Sequence, residues 1–426
     1  MLKVKYIRNN TEIVKKGLLK RNWSPEEINI VDEVLLLDEK RKSIQHKKDQ
    51  LLSEIKTLSK QIGGLMQSGK KEQVEQIKAS IPQIKKQIKT LDEEGGQVYA
   101  KLEELLLSIP NVPHDLVPPG KTEEDNYVYK DWTGPMPELP EDALPHWELA
   151  ERYGLFDFKL GVKLTGSGFP VYRGKGARLE RALINFFLDQ ATTAGYEEIW
   201  APLMVNAASA RATGQLPDKE GQMYHICKDD LYMIPTAEVP LTNIYRDVIL
   251  KETDFPIKLT GYTPCFRREA GSYGAHVKGL NRVHQFDKVE IVQLQHPDHS
   301  WETLDSMVKH VSHVLDRLEL PYRIVRLCGG DLGFTSAMTY DFEVYSAAQK
   351  KWLEVSSVSN FLTFQSNRLK LRFKDKEGKI HLAHTLNGSA LALARIMASL
   401  LENNQTPKGI VIPEKLRPFT GFDIIQ

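Results

Sequence analysis

Apolar residues between Val34 and Ile109 recur with a period that only paired helices can use. Leu37, Ile44, Leu51, Leu58 and Leu65 stand seven residues apart, and Val34, Ile55 and Ile62 fill the alternate seam position, which Arg41 and Lys48 interrupt. A second run starts at Val74 and continues through Ile77, Ile81, Ile84, Ile88, Leu91, Val98, Leu102, Leu105 and Ile109 in steps of three and four, with one omission at Gly95. The mean step of 3.5 residues is that of a coiled coil. Between the runs lies a short polar break, Gln67-Ser68-Gly69-Lys70. Two long seams joined by so short a loop bury each other only by folding back antiparallel. The prediction is a helical region over residues 1–110 carrying a long antiparallel coiled coil over about 33–108. Arms of about 35 residues would project about 50 Å at 1.5 Å per residue. Pro82 should kink the second helix or mark a late start, and Gly95-Gly96 should weaken its base, so a bent or hinged arm is expected there.

The arm is also where the charge lies. The whole chain has a formal net charge of only +1, yet residues 40–89 hold 13 Lys and Arg against 4 Asp and Glu. Such a patch attracts a polyanion; a solvated helical surface has the same composition. One apparent motif in the arm is discarded. Gly64-Leu65-Met66-Gln67-Ser68-Gly69-Lys70-Lys71 nearly matches a phosphate-binding loop, but it lacks the final Ser or Thr and follows a heptad rather than a strand.

A length of 426 residues calls for two domains, and 41% apolar with 27% charged residues fits a folded protein rather than a disordered one. Cys227, Cys265 and Cys328 are odd in number and widely spaced, so neither a disulfide framework nor a zinc site is expected, and a reducing compartment is. The first ten residues lack the apolar stretch of a signal peptide, and no apolar run is long enough for a bilayer. The expectation is a cytoplasmic protein with no membrane partner. After Ile109 prolines crowd the chain, from Pro110 and Pro113 to Pro140 and Pro145. Residues 111–165 therefore read as a linker and the start of a second domain, with a short helix within Asp142 to Phe158 closed near Gly154. Residues 166–426 read as that domain's body.

Within it, residues 177–194 form an amphipathic helix with Leu179, Leu183, Phe186 and Phe187 on one stripe, capped near Gly195. A short strand, Tyr196 to Trp200, should follow. Gly261 to Glu269 and Val283 to Leu294 read as strands. Alternation places Arg267 and Glu269 on one face of the first; Phe286, Lys288 and Glu290 share a face of the second, opposite Val289 and Ile291. A pocket wall has this pattern, and so does an antiparallel pair with one wet face. Further on, Thr385 to Ser389 reads as strand then turn, and Ala390 to Met397 as an apolar helix in which Arg395 is the only charge. An arginine there needs an anion, either a protein carboxylate or a ligand phosphate.

Taken together these elements resemble the three motifs of class II aminoacyl-tRNA synthetases: the helix 177–194 with Pro202, then Phe266-Arg267-Arg268-Glu269 with His284-Gln285-Phe286, then the Gly388 turn and helix with Arg395. Gly174 to Glu180, Thr236-Ala237-Glu238, Glu269-Ala270-Gly271-Ser272, His284 to Glu290, Glu354-Val355-Ser356-Ser357 and Leu386-Asn387-Gly388-Ser389 resemble the seryl-tRNA synthetase branch, as does the helical arm. The resemblance covers nearly the full chain. It implies an α+β protein in which an N-terminal antiparallel coiled-coil hairpin precedes a catalytic domain built on an antiparallel β-sheet flanked by helices.

It also implies activation of L-serine by ATP, then transfer to the 3′ end of tRNA(Ser), and of tRNA(Sec), by a homodimer whose arm grips the tRNA. By match to the motifs, Arg267 would hold the α-phosphate and the substrate carboxylate, and Arg395 the far phosphates; these two carry the catalysis. Arg268, Glu269, Phe286, Val355 and Ser356 would complete the ATP site, with Glu269 orienting the adenine end and Phe286 stacked on the base. Glu354 and Ser357 would hold Mg2+, a hard ion suited to oxygen ligands. Thr236, Ala237, Glu238, Glu290 and Ser389 would form the serine pocket, with Glu290 facing the ammonium. One stretch departs from the branch: Gly274 to Gly279, followed by Asn281, is less basic than the arginine-rich loop expected there. A non-catalytic tRNA-binding relative and a ligase for another small amino acid are the competing readings. The former would lack part of the set Arg267, Glu269, Glu354 and Arg395, and the latter is disfavoured by Thr236-Ala237-Glu238 with Glu290 and by the long arm.

Overall fold

A computed structural model describes residues 1–218, 221–268 and 278–426. Its contacts divide into two compact units, one of Leu2–Leu19 with Trp23–Pro110 and one of Met1, Lys20–Asn22 and Asn111–Gln426.

The first unit is dominated by two helices of 38 residues each, Ile30–Gln67 and Lys71–Ser108, which pack along their lengths. Each would be about 57 Å long at 1.5 Å per residue. The seam positions predicted from the heptad are the ones withdrawn from solvent: Val34, Ile44, Val74, Ile84 and Val98 are buried, and Leu51, Ile55, Leu58, Ile62 and Leu65 half-buried. The polar interruptions of the seam are matched by partners. Lys48 reaches Asp92 on the opposite helix at 2.5 Å, and Arg41 bonds Asp38 at 2.8 Å. The Gly64 to Lys71 stretch is the hairpin tip, where Gly69 supplies a φ of +76° that an L side chain resists.

Pro82 does not start the second helix late. The helix runs unbroken through Pro82 and through Gly95-Gly96. Ile81 and Ile84 on either side of the proline stay in the seam, so packing offsets the one backbone hydrogen bond that proline removes. Gly95 lies where a Cβ would meet Ile44 at ordinary contact distance, 3.4 Å, which explains the gap in the heptad: the seam is already filled there from the other helix.

The second unit is built on one eight-stranded sheet. Its strands are β1 (Tyr127–Lys130), β2 (Glu197–Glu198), β3 (Ile257–Phe266), β4 (Gln285–Gln295), β5 (Tyr322–Arg326), β6 (Met338–Ser346), β7 (Lys351–Leu362) and β8 (His384–Ala392). The spatial order is β1-β5-β6-β7-β8-β4-β3-β2, antiparallel throughout except for the β2–β3 pair. Helices Gly174–Thr193 and Leu393–Asn403 contribute to the core beside this sheet, and Ser300–Arg317 packs on β7 and β8. The predicted stripe Leu179, Leu183, Phe186 and Phe187 is at most 1% exposed. The short helix of the linker is His146–Tyr153, closed by Gly154 in the left-handed region. Among the described residues no helix is long and apolar enough to cross a membrane.

Two elements depart from expectation. β3 ends at Phe266, so Arg267 lies just beyond it, although its N–H still bonds the carbonyl of His284 at 2.9 Å. Glu269, and with it the stretch 270–277, lies outside the described residues. And no turn follows Ser389. β8 continues to Ala392 and the helix begins at Leu393. The alternating Ala and Leu after Ser389 favour helix, but Ala390 and Leu391 are buried in the sheet's core and β4 goes on pairing as far as Ala392. Tertiary packing overrides local propensity here.

Candidate active site

A cavity of about 560 Å³ opens on the face of β4, β7 and β8, and Thr236, Glu238, Arg267, Phe286, Glu354, Val355, Ser356, Ser357, Ser389 and Arg395 line it. Residues spread over 160 positions of sequence are thus brought to one site by the register of three strands. Alternation along β4 carries Phe286 and Lys288 to the cavity, while Val289 and Ile291 enter the core on the other side. The wet-face alternative falls, since Lys288 and Glu290 are 5% and 0% exposed.

Two bulges complete the site. Glu354 and Ser357 are three apart, and a regular strand would send them to opposite faces. The register shows Glu354 opposite Glu343 and Ser356 opposite Phe342, so Val355 is an extra residue on β7. The bulge turns both oxygen-bearing side chains toward the cavity. On β8, Ser389 pairs with Glu290 and Ala392 with Lys288, so two residues of β8 stand against one of β4. Leu391 takes a φ of +101° at that point. Strain of this kind is retained where the surroundings over-determine it.

Arg267 lies with its guanidinium 5.2 Å from the centre of the Phe286 ring and donates through Nε to the carbonyl of Pro235 at 3.3 Å. Arg395 is fixed from two sides: Nε donates to the carbonyl of Asn281 at 2.9 Å, and one terminal nitrogen to the carbonyl of Glu354 at 2.7 Å, with a Glu354 carboxylate oxygen at 3.4 Å. Its anionic partner in this structure is therefore a protein carboxylate. Its side chain remains 28% exposed and lines the cavity.

A second group of charges sits deeper. Glu290 accepts from the Thr236 hydroxyl at 3.0 Å and pairs with Lys288 at 2.5 Å. Glu238 accepts from Gln365 at 2.6 Å. Burial, and then the nearby Glu290, push the Glu238 carboxyl up to about 7. Two carboxylates and one ammonium leave the pocket one negative charge in excess when both acids ionise, which suits a small ligand carrying an ammonium.

The cavity holds most of the expected residues, but not all. Ala237 is fully buried and does not line it. Glu290 stands behind the wall and reaches the site through Thr236 and Lys288. Arg268 is exposed, over the ring of Tyr224 at 5.9 Å, and does not line the cavity. Lys288, Asn387 and Asn281 line the cavity and were not singled out as site residues. Lys288 could have been found from its place between Phe286 and Glu290 on one strand face; Asn281 carries no such signal.

Asp341 bears on the fit of a divalent cation to this site. It stands opposite Ser357 in the β6–β7 register, and its Oδ1 is buried without a hydrogen-bond partner. Burial first, then the charge of Glu354, raise its carboxyl well above the usual range. An orphaned acceptor beside Glu354 and Ser357 fits a hard cation. Among the described residues no group of three or more His, Cys, Asp and Glu side chains is placed to hold a metal by itself.

Glu238 gives a stability prediction whose sign is fixed. A carboxyl held near 7 in the folded state and near 4.5 in the unfolded chain favours folding while protonated, and that advantage disappears as pH rises from 4.5 to 7. The full difference is about 3 kcal/mol. Glu238→Gln should therefore melt a few degrees above the parent at pH 8 and level with it at pH 5, by differential scanning fluorimetry; a lower melting point at pH 8 would contradict the assignment.

Comparison with known proteins joins these two units in one family. Residues 1–113 match the seryl-tRNA synthetase N-terminal domain, and residues 224–404 the tRNA synthetase class II core domain (G, H, P, S and T). A serine–tRNA ligase of Salinibacter ruber is 51% identical, with 99% of this chain and 98% of that one aligned. One from Akkermansia muciniphila is 47% identical over 100% and 99%. Among solved structures, seryl-tRNA synthetase from Pyrococcus horikoshii complexed with ATP superposes with a TM-score of 0.93 at 35% identity, covering 100% of this chain and 99% of that one. Both units, in their order along the chain and over its whole length, are those of the seryl-tRNA synthetases, and the chain belongs to that family.

Proposed function

We propose that this chain is a serine–tRNA ligase that activates L-serine with ATP and transfers it to tRNA(Ser). The observation that carries this reading is the cavity in which Arg267, Phe286, Glu354, Ser357 and Arg395 meet Thr236, Glu238 and Ser389. In the first step a serine carboxylate oxygen attacks the α-phosphorus of ATP, the bond to the bridging oxygen breaks, and pyrophosphate leaves. In the second, the terminal ribose hydroxyl of the tRNA attacks the activated carbonyl and AMP leaves. Neither step needs a protein nucleophile, so the protein's work is positioning and charge stabilisation.

Arg267 meets the α-phosphate and the serine carboxylate with a planar fork suited to both. Phe286 offers a face for the adenine ring, and Arg395 draws the far phosphates. Val355 and Ser356 line the cavity between them, and Arg268 and Glu269 are assigned to the nucleotide by their match to the second motif. Glu354 and Ser357 would hold Mg2+, which would neutralise charge on the phosphates. Glu290 and Glu238 favour the serine ammonium, while Thr236 and Ser389 present polar atoms to its hydroxyl, backed by Ala237. The basic arm supports the tRNA reading: Lys47, Lys56, Lys60, Lys85, Lys86 and Lys89 are all exposed on it. A homodimer, tRNA(Sec) as a second acceptor and a cytoplasmic setting belong to the same proposal.

Charging tests it. Labelled serine should enter tRNA(Ser) and tRNA(Sec) transcripts in the presence of ATP and magnesium, and no acid-precipitable product with either would overturn the reading.

A further inference from the structure

His146 and Glu402 belong to none of the motifs above, yet they form a fully buried hydrogen-bonded pair in the second unit. Both side chains are 0% exposed. One Glu402 oxygen accepts from the backbone N–H of His146 at 2.9 Å, from ring atom Nδ1 at 2.6 Å and from the amide of Gln349 at 2.9 Å. The other oxygen accepts from the Ser346 hydroxyl. Burial works against ionisation, but these donors, His146 foremost, hold the carboxyl below its usual range. Across the ring, Nε2 accepts the backbone N–H of Leu280 at 2.8 Å. A ring nitrogen that accepts an N–H bears no proton, so the imidazole proton is on Nδ1 and the ring is neutral.

Leu280 is next to Asn281, whose carbonyl receives Nε of Arg395. The Asn281 amide donates to Gln349 at 2.8 Å, and Gln349 in turn donates to Glu402. The loop base is thus tied at two consecutive residues. Gly279 shows how closely: its φ is +67°, and a Cβ there would lie 2.2 Å from Nε2 of His146. Lys278 lies over the ring of Trp147 at 4.7 Å. Arg395 and Glu402 stand seven residues apart on one helix, two turns and one face. That helix grips the loop base once directly, through Arg395, and once through Glu402 and His146.

We infer that the His146–Glu402 pair is a positioning device for ATP, fixing the Gly279–Asn281 backbone so that it aims Arg395 into the cavity. The inference rests on Arg395 as a phosphate-binding group. A pair that merely holds two helices together would lower stability and leave the Michaelis constants alone.

Two substitutions separate the two ends of the ring. His146→Asn puts an amide near Nδ1, keeping the donor to Glu402 and losing the acceptor for Leu280. His146→Gln puts an amide oxygen near Nε2, keeping the acceptor. In serine-dependent pyrophosphate exchange with magnesium-ATP, His146→Asn should raise the KM for ATP about tenfold, the effect of one lost buried hydrogen bond, with the KM for serine moved less than about twofold. His146→Gln should stay within about threefold of the parent for ATP. Arg395→Ala is the reference and should raise the KM for ATP at least as much as His146→Asn. If it does and neither His146 variant moves that constant, the positioning role is overturned and Arg395 stands. If Arg395→Ala leaves it unchanged, the phosphate reading falls and the inference with it. Losses that follow the melting temperature in both His146 variants, or equal rises in both Michaelis constants, would also overturn it.

Discussion

Arg267→Ala is expected to slow serine-dependent pyrophosphate exchange about a hundred- to a thousandfold at saturating substrates, the usual cost of removing one preorganised donor from a developing charge. Arg267 lies just past the end of β3 with its backbone still held by His284, and its guanidinium is steadied by the Phe286 ring and the Pro235 carbonyl. The charge is therefore in place before substrate arrives and needs no reorganisation. The side chain is half-exposed, so the variant should keep its stability within about 1 kcal/mol. Arg267→Lys keeps the charge and loses the fork, and should recover only part of the rate. Exchange within tenfold of the parent in the alanine variant would remove Arg267 from the chemistry.

Deleting residues 35–107 and closing the gap with a short linker should leave serine activation within about threefold and lower charging of tRNA(Ser) more than a hundredfold in kcat/KM, as expected when a basic surface that binds a polyanion is lost. The two arm helices bury their seam against each other. The cavity is lined wholly from the other unit. The parent's KM for tRNA should also rise steeply with salt, and the truncated protein's residual charging should lose most of that dependence. Full charging by the truncated protein would refute the arm's role.

The arm was the most legible part of the molecule. A seam repeating over many turns is a strong signal, and Arg41 and Lys48 within it cost nothing in recognition because Asp38 and Asp92 accommodate them. The wall formed by Phe286 and Lys288, with Glu290 behind it, was legible for a similar reason, the two-residue period of a strand. Irregularity escaped. The bulge at Val355, which makes Glu354 and Ser357 neighbours, and the strained Leu391, which carries β8 past Ser389, are consequences of register between strands distant in sequence. Nothing local announces them. Arg395 shows the limit differently. Its isolation in an apolar helix signalled an anion, but the carbonyls of Asn281 and Glu354 that aim it come from 114 and 41 residues away. His146 and Glu402 are further apart still, 256 residues, and each alone reads as ordinary.

The central claim is that this cavity joins ATP to serine. Amino-acid-dependent exchange of labelled pyrophosphate into ATP measures that step alone, without tRNA. Serine should support exchange with a kcat/KM at least about a thousandfold above alanine, because a site built to bond a hydroxyl leaves polar groups unpaired when the hydroxyl is missing, and threonine should fare no better than alanine. Exchange with alanine or threonine equal to that with serine, or none with serine, would contradict it.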